Sequence, residues 1–198
     1  MDNKREKQKL LDQLYAPYQK CLMCPLGSLG RTKVVFGEGN PDARLMFIGE
    51  GPGANEDAQG RPFVGRSGQL LTKIIESTGL SRSDVFITNI VKCRPPENRK
   101  PFPLESKTCK GILLDKQIEI IKPMVICTLG SAALAGLLGQ DVVKITQMRG
   151  IPLMHNGITI LPTYHPAYIL RNPKELEPLV VDINKAYELT QQHKNTPL

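Results

Sequence analysis

Tryptophan is absent from this chain of 198 residues, and aromatic residues together make up 5% of it. Each Phe or Tyr beside a motif therefore carries unusual weight. Histidine occurs three times, so each copy can be weighed by its position. No apolar run approaches the roughly 18 residues of a membrane span. The opening Met1-Asp2-Asn3-Lys4-Arg5-Glu6-Lys7 lacks the apolar stretch of a signal peptide. We therefore expect a soluble, intracellular, cytoplasmic protein with no membrane partner. Repeats and low-complexity tracts are missing too. That leaves a single domain over 1–198, with an N-terminal helix within 1–20 and a polar tail at 193–198.

Five cysteines in such a chain argue against a disulfide framework and toward a metal, a cluster or burial. The net charge is +7, from 26 basic against 19 acidic residues, which suits an anionic polymer as partner.

The chain is organised around Gly49-Glu50-Gly51-Pro52-Gly53-Ala54, continuing through Glu56 to Gly60-Arg61-Pro62-Phe63-Val64-Gly65. An apolar strand, 45–48, leads in, and a helix starting near Ser67 leads out. The glycines let a ligand approach main-chain N–H groups. The loop also holds two carboxylates, Glu50 and Glu56, and one aromatic, Phe63. Further strands are expected at 34–36, 85–91, 124–130 and 158–162. Helices are expected over 4–20, 68–79, from Cys109 to 122, in a short run capped by Ser131, and over 174–192. This alternation predicts a three-layer α/β/α fold with a central, mostly parallel four-stranded sheet. Ligands bind such sheets at the carboxyl ends of the strands.

Gly49-x-Gly51-x-x-Ala54 also fits a dinucleotide fingerprint. Two features count against it. About a dozen loop residues are expected between the glycines and the helix, and the strand ending in Asn89-Ile90 offers no acidic residue to a ribose. A tight turn without a ligand is the blander reading.

Cys21 and Cys24 are spaced to converge on one centre, whereas Cys93 and Cys109 lie sixteen positions apart. Four thiolates would serve either a four-cysteine zinc site or a 4Fe-4S cluster, and spacing alone does not separate them. Cys127, between Ile126 and Thr128 in an apolar run, reads as a small buried hydrophobe. His155 falls on a hairpin tip and His193 in the tail, where a solvated ring is the default. His165 instead follows a strand end and precedes Pro166. Glu50, Asn89 and His165 would project from one edge of the sheet, beside Phe63. An amide can read a base edge bidentately, a ring can stack, and an imidazole can stabilise a developing oxyanion.

Several motifs then line up in order: Cys21-x-x-Cys24, Gly49 to Gly53, Gly60 to Gly65, Thr88-Asn89, Lys92-Cys93-Arg94-Pro95-Pro96, Cys109, and His165-Pro166-Ala167-Tyr168-Ile169-Leu170-Arg171. Together they resemble the family-4, iron–sulfur branch of the uracil-DNA glycosylases, over Cys21 to about Arg171. The resemblance implies a uracil-DNA glycosylase-like fold. It also implies that a monomer hydrolyses the N-glycosidic bond of deoxyuridine in single- or double-stranded DNA, leaving an abasic site. Contact with a replication clamp is left open. A 4Fe-4S cluster would fall on Cys21, Cys24, Cys93 and Cys109 in a structural role. Phe63 would stack on the flipped uracil, and Asn89 would bond its O4/N3 edge. The Gly51 backbone would approach the base, and His165 would bond O2 as negative charge gathers there.

The chain departs from better-known relatives, which place an Asp where Gly51 stands to position the attacking water. Glu50 is the expected substitute. Glu56 is expected to exclude thymine's methyl group, a task the relatives give to a Tyr at the Gly53 position. Arg94, Arg99, Lys100, Arg149 and Arg171, with Lys92, Lys107 and Lys110, are expected to meet phosphates. Ile169 and Leu170 could wedge into the base stack or pack on the core. A related branch traps the base through a histidine in a basic insertion, and none lies between Gln140 and Pro152. The alternative from another class is a non-catalytic iron–sulfur DNA-binding module. It would have no need of Phe63, Asn89 and His165 together.

Overall fold

Short runs of aliphatic residues form the middle of a six-stranded sheet in the computed structural model, which describes residues 2–192. The tail expected at 193–198, with His193, lies outside the described residues. The strands are β1 (Glu38–Gly39), β2 (Leu45–Gly49), β3 (Phe86–Asn89), β4 (Val125–Leu129), β5 (Leu153–His155) and β6 (Ile158–Thr163), in the order β1-β3-β2-β4-β6-β5. The four inner strands are parallel, with Gly49 opposite Asn89, Phe47 opposite Cys127 and Leu129 opposite Thr163. Every residue of β2, β3 and β4 is buried, as strands covered on both faces must be.

The sheet thus has six strands rather than four. The additions are antiparallel edges of two and three residues, too short to leave an alternation in the sequence. The segment 34–36 is buried but irregular, and the edge strand begins only at Glu38.

The helices are α1 (Asp2–Tyr15), α2 (Ala54–Gln59), α3 (Arg66–Ser77), α4 (Pro103–Cys109), α5 (Asp115–Ile121), α6 (Ser131–Leu138), α7 (Ile145–Met148), α8 (Pro166–Arg171) and α9 (Leu176–Gln192). They cover both faces of the sheet. One core joins Met46, Ile48 and Ile126 to Leu11 of α1, Ile121 of α5 and Leu134 of α6. The other joins Phe47, Ile87 and Cys127 to Ile75 of α3, Ile169 of α8 and Ile183 of α9. Successive strand residues enter opposite cores because side chains alternate across a pleat. Full burial of one such aliphatic side chain contributes about 1.5–3 kcal/mol. Among the described residues, no helix is long and apolar enough to cross a membrane.

Four expected boundaries are corrected. Cys109 ends α4 instead of opening a helix, and a π-helical turn, Lys110–Leu114, joins α4 to α5. Pro103 starts this helix because its fixed φ suits a first turn, where no N–H partner is needed. Gly130, at φ 92°, precedes α6 and leaves Ser131 as its first residue. The N-terminal helix stops at Tyr15 and passes into a single 3-10 turn. Lastly, α2 starts directly after Gly53, so the dozen loop residues expected before the next helix are in part a helix too short to show a period.

Asp182 of α9 ties the outer layer to the end of β6. It is 2% exposed and accepts from Thr163 Oγ1 at 2.6 Å and from both Nη2 and Nε of Arg149, at 2.7 and 3.0 Å. Burial raises its pKa, against the opposing pull of Thr163 and Arg149. Arg149→Ala would strand a buried carboxylate, and we expect it to cost about 3 kcal/mol. Urea denaturation should show this as a lowered midpoint, and an unchanged midpoint would mean that the pair is idle.

Candidate active site

Because β2, β3, β4 and β6 run parallel, their carboxyl ends share one edge. Successive strands are laid on opposite sides of β2, and the crevice between the diverging connections is the binding place of such sheets. A cleft of about 510 Å³ opens there, lined among others by Glu50, Gly51, Glu56, Phe63, Asn89 and His165. The residues expected to act together are therefore brought together, although they come from three separate stretches of chain.

Asn89, the last residue of β3, is 1% exposed, and its Oδ1 has no hydrogen-bond partner among the described residues. A buried acceptor left unpaired costs about 1–3 kcal/mol. Its neighbours close in because residue 49 is glycine: a Cβ there would strike Asn89 Oδ1 and the Phe63 ring. Phe63 itself holds a left-handed backbone, φ 51°, which for a non-glycine residue costs of order 1–3 kcal/mol. Its ring centroid lies 5.7 Å from that of His165.

His165 caps α8, and its Nδ1 accepts the Ala167 N–H at 3.0 Å. A neutral imidazole that accepts at Nδ1 must carry its proton on Nε2. Burial lowers the pKa to about 4; Arg171 adds to this, while Glu56 opposes it. At neutral pH the ring is an uncharged donor. Burial raises the pKa of Glu50, and Lys100 pulls the other way. Glu56 accepts from the backbone N–H groups of Gly53, Val64 and Gly65 at 3.2, 2.9 and 2.8 Å. It braces the loop that presents Phe63 from both ends.

A family model for the uracil DNA glycosylase superfamily matches residues 36–188. The chain belongs to that superfamily. It is 49% identical over 183 residues to the type-4 uracil-DNA glycosylase of Thermotoga maritima, spanning 91% of this chain and 94% of that protein. The type-4 enzyme of Sulfurisphaera tokodaii is 44% identical, covering 90% of this chain and 84% of its own length. That of Archaeoglobus fulgidus is 38% identical, covering 94% and 96%.

Around this glycosylase cleft the basic residues divide. Arg99 and Arg171 line it, and Lys100 borders an adjoining groove. Arg99 lies 3.9 Å above the Phe102 ring and forks onto Glu105 at 2.7 and 2.8 Å. Arg94 donates to Asn98 at 2.8 Å. Arg149 is instead taken up by Asp182, away from the cleft lining. Lys92, expected at a phosphate, is fully buried: its Nζ donates to Thr88 Oγ1 at 2.6 Å and to the Asn89 carbonyl at 2.7 Å. Burial brings its pKa down to about 7, opposed by Cys109. Ile169 packs in the core at 3% exposure, whereas Leu170 is 40% exposed. Tyr168 and Asn98 line the cleft unanticipated. The first lay inside the His165 motif, and the second reaches it through a left-handed turn, φ 56°, a conformation asparagine tolerates.

Cys93 and Cys109 are buried and Cys21 and Cys24 partly so, all four within or against one core. Burial pushes Cys93 up to about 12 and Cys109 to about 11. Arg31 opposes this at Cys93 and Lys92 at Cys109, while Cys24 adds to it at both. Arg31 reaches two of these residues: its Nε donates to Cys93 Sγ at 3.1 Å and its Nη2 to the Cys21 carbonyl. The Lys92 N–H donates to Cys109 Sγ at 3.3 Å. Cys127 lies across the sheet in the other core, fully buried, as expected of a small hydrophobe. Among the described residues, no three His, Cys, Asp or Glu side chains group closely enough to hold a single metal ion.

The His165 geometry predicts a silent titration. Between pH values of about 4 and 6.5 the unfolded chain binds a proton that the native ring refuses. The stability contributed by this ring is thus complete above about pH 6.5 and is lost as pH falls toward about 4. NMR of the ring nitrogens should find Nδ1 bare and no inflection down to about pH 5. An inflection near 6.5 would contradict the burial argument.

Proposed function

We infer that the chain is a DNA-repair glycosylase that takes uracil out of DNA by hydrolysing its bond to deoxyribose, leaving free uracil and an abasic site. The type-4 relatives carry the name of that activity. In the chain itself, the unpaired Asn89 Oδ1, buried beside the Phe63 ring, carries the reading. Uracil offers its N3–H to that oxygen and its O4 to the amide nitrogen. A DNA-binding module without catalysis would have no use for a costly unpaired acceptor at the floor of a cleft.

The base must first leave the stack, at a cost of a few kcal/mol. Stacking on Phe63, worth about 1–3 kcal/mol per base, and the edge bonds to Asn89 offset it. When the glycosidic bond breaks, its electron pair passes to N1 of uracil and spreads to O2. His165 Nε2–H, uncharged at neutral pH, donates to that oxygen. The sugar C1′ becomes cationic and takes up a water, whose proton goes to Glu50. Burial makes this carboxylate a stronger base than an exposed glutamate. Glu56 contributes to thymine exclusion through the loop that it braces, which fixes the wall facing the base. Arg94, Arg99, Lys100 and Arg171 meet phosphates, and the exposed Leu170 fills the space the base leaves.

Cys21, Cys24, Cys93 and Cys109 would hold the 4Fe-4S cluster. Four soft thiolates suit it, and Arg31 and Lys92 would offset their charge. Once bound, it would cross-link the N-terminal loop, the segment after β3 and α4.

An oligonucleotide with one deoxyuridine should release uracil, and its thymidine counterpart nothing. We expect His165→Ala to lower kcat by about 10²–10³-fold and Glu50→Gln by about 10²–10⁴-fold. Full activity of His165→Ala would remove the oxyanion role. Purified protein should contain iron and acid-labile sulfide in equal amounts, and Cys109→Ser should shed both. Zinc in their place would contradict the cluster.

A further inference from the structure

We propose that Arg82, in the turn between α3 and β3, is a positioning residue for the Phe63 ring. This rests on the cleft being a uracil pocket, and it adds a residue outside the cleft lining. The Arg82 guanidinium collects two consecutive carbonyls, with Nη1 donating to Phe63 O at 3.1 Å and Nη2 to Pro62 O at 2.7 Å. Consecutive carbonyls of an extended chain point to opposite sides. Gathering both on one cation requires the chain to fold over between them, and it does so in the left-handed conformation of Phe63.

The rest of the guanidinium is fixed in turn. Nη2 donates to Glu38 Oε1 at 2.7 Å and Nη1 to Thr72 Oγ1 at 3.2 Å. Glu38 is itself held by a second fork from Arg61, at 2.7 and 3.0 Å. From the other side, Gly68 lies so close that a Cβ there would strike the Phe63 carbonyl carbon and oxygen. The strained conformation is thus over-determined: a cation pulls the carbonyl, and a bare Cα leaves it room. Without the cation, Phe63 relaxes to a negative φ, and its ring leaves the place beside His165 where a flipped base would stack. Lysine cannot substitute fully, because a single ammonium lacks the planar fork that serves both carbonyls and Glu38 at once.

The test is inhibition of the glycosylase by free uracil, with thermal unfolding measured in parallel. It compares wild type, Arg82→Met, Arg82→Lys, Phe63→Leu and the Arg82→Met/Phe63→Leu double variant. Arg82→Met should weaken uracil inhibition by about tenfold, the size of a lost base–aromatic stack, and Arg82→Lys by less. In the Phe63→Leu background the Arg82 substitution should change nothing further, since its whole effect passes through that ring. Equal losses in both backgrounds, or unchanged inhibition in Arg82→Met, would overturn the proposal. If Arg82→Met does not fold, Arg82→Lys is read in the same two backgrounds with the same criterion. If wild type is not inhibited by uracil, the pocket reading fails and the proposal goes with it. If wild type is inhibited and Arg82→Met equally so, only the proposal fails.

Discussion

Asn89 Oδ1 is buried, polar and, among the described residues, unpartnered, and a buried acceptor left so at a cleft calls for a partner from outside the chain. Much of the neighbourhood is arranged around that one atom. Gly49 gives up a side chain to make room for it, and Phe63 accepts a strained backbone to lie alongside. Lys92 is sealed beneath, holding the Asn89 carbonyl. The segment that follows carries Cys93, and the Lys92 N–H reaches Cys109. Asn89 and Cys93 are thus four residues apart on one piece of backbone, and a single hydrogen bond ties that segment to Cys109.

Charge is distributed with the same economy. The cleft floor holds a histidine that burial keeps neutral and a glutamate that burial makes more basic. Such a pair can donate to one atom and accept from another without first exchanging a proton. The guanidinium groups nearby are mostly bound to carboxylates, Arg99 to Glu105, Arg82 to Glu38 and Arg149 to Asp182. The surplus of positive charge is therefore smaller at the cleft than the composition suggests. Arg171 in the cleft lining and Lys100 in the adjoining groove are left exposed.

The parallel core was legible because buried strands are written as largely apolar runs, and the expected strands at 45–48 and 124–130 contain or overlap the observed Leu45–Gly49 and Val125–Leu129. The site was legible because its residues follow those runs, at the strand ends where chemistry is placed. What escaped had a physical reason. Edge strands of two and three residues carry no period, and neither does α2 with six residues. The uses of lysine and arginine were hidden as well. Lys92 and Arg149 look like any surface cation in sequence, and only the fold shows one buried under Asn89 and the other locked to Asp182. Arg82 gave no signal at all, because its partners, two backbone carbonyls and the side chains of Glu38 and Thr72, lie ten or more residues away in the chain.

The affinity of free uracil against N3-methyluracil tests most directly whether Asn89 Oδ1 receives a hydrogen bond from the base. A site built to bond an N–H rejects an analogue that lacks it, because its own buried group stays unpaired. Uracil should bind wild type at least about a hundredfold more tightly, and Asn89→Ala should erase most of the difference. Equal affinity of the two bases for wild type would mean that the oxygen has some other partner and does not bond the N3–H of uracil.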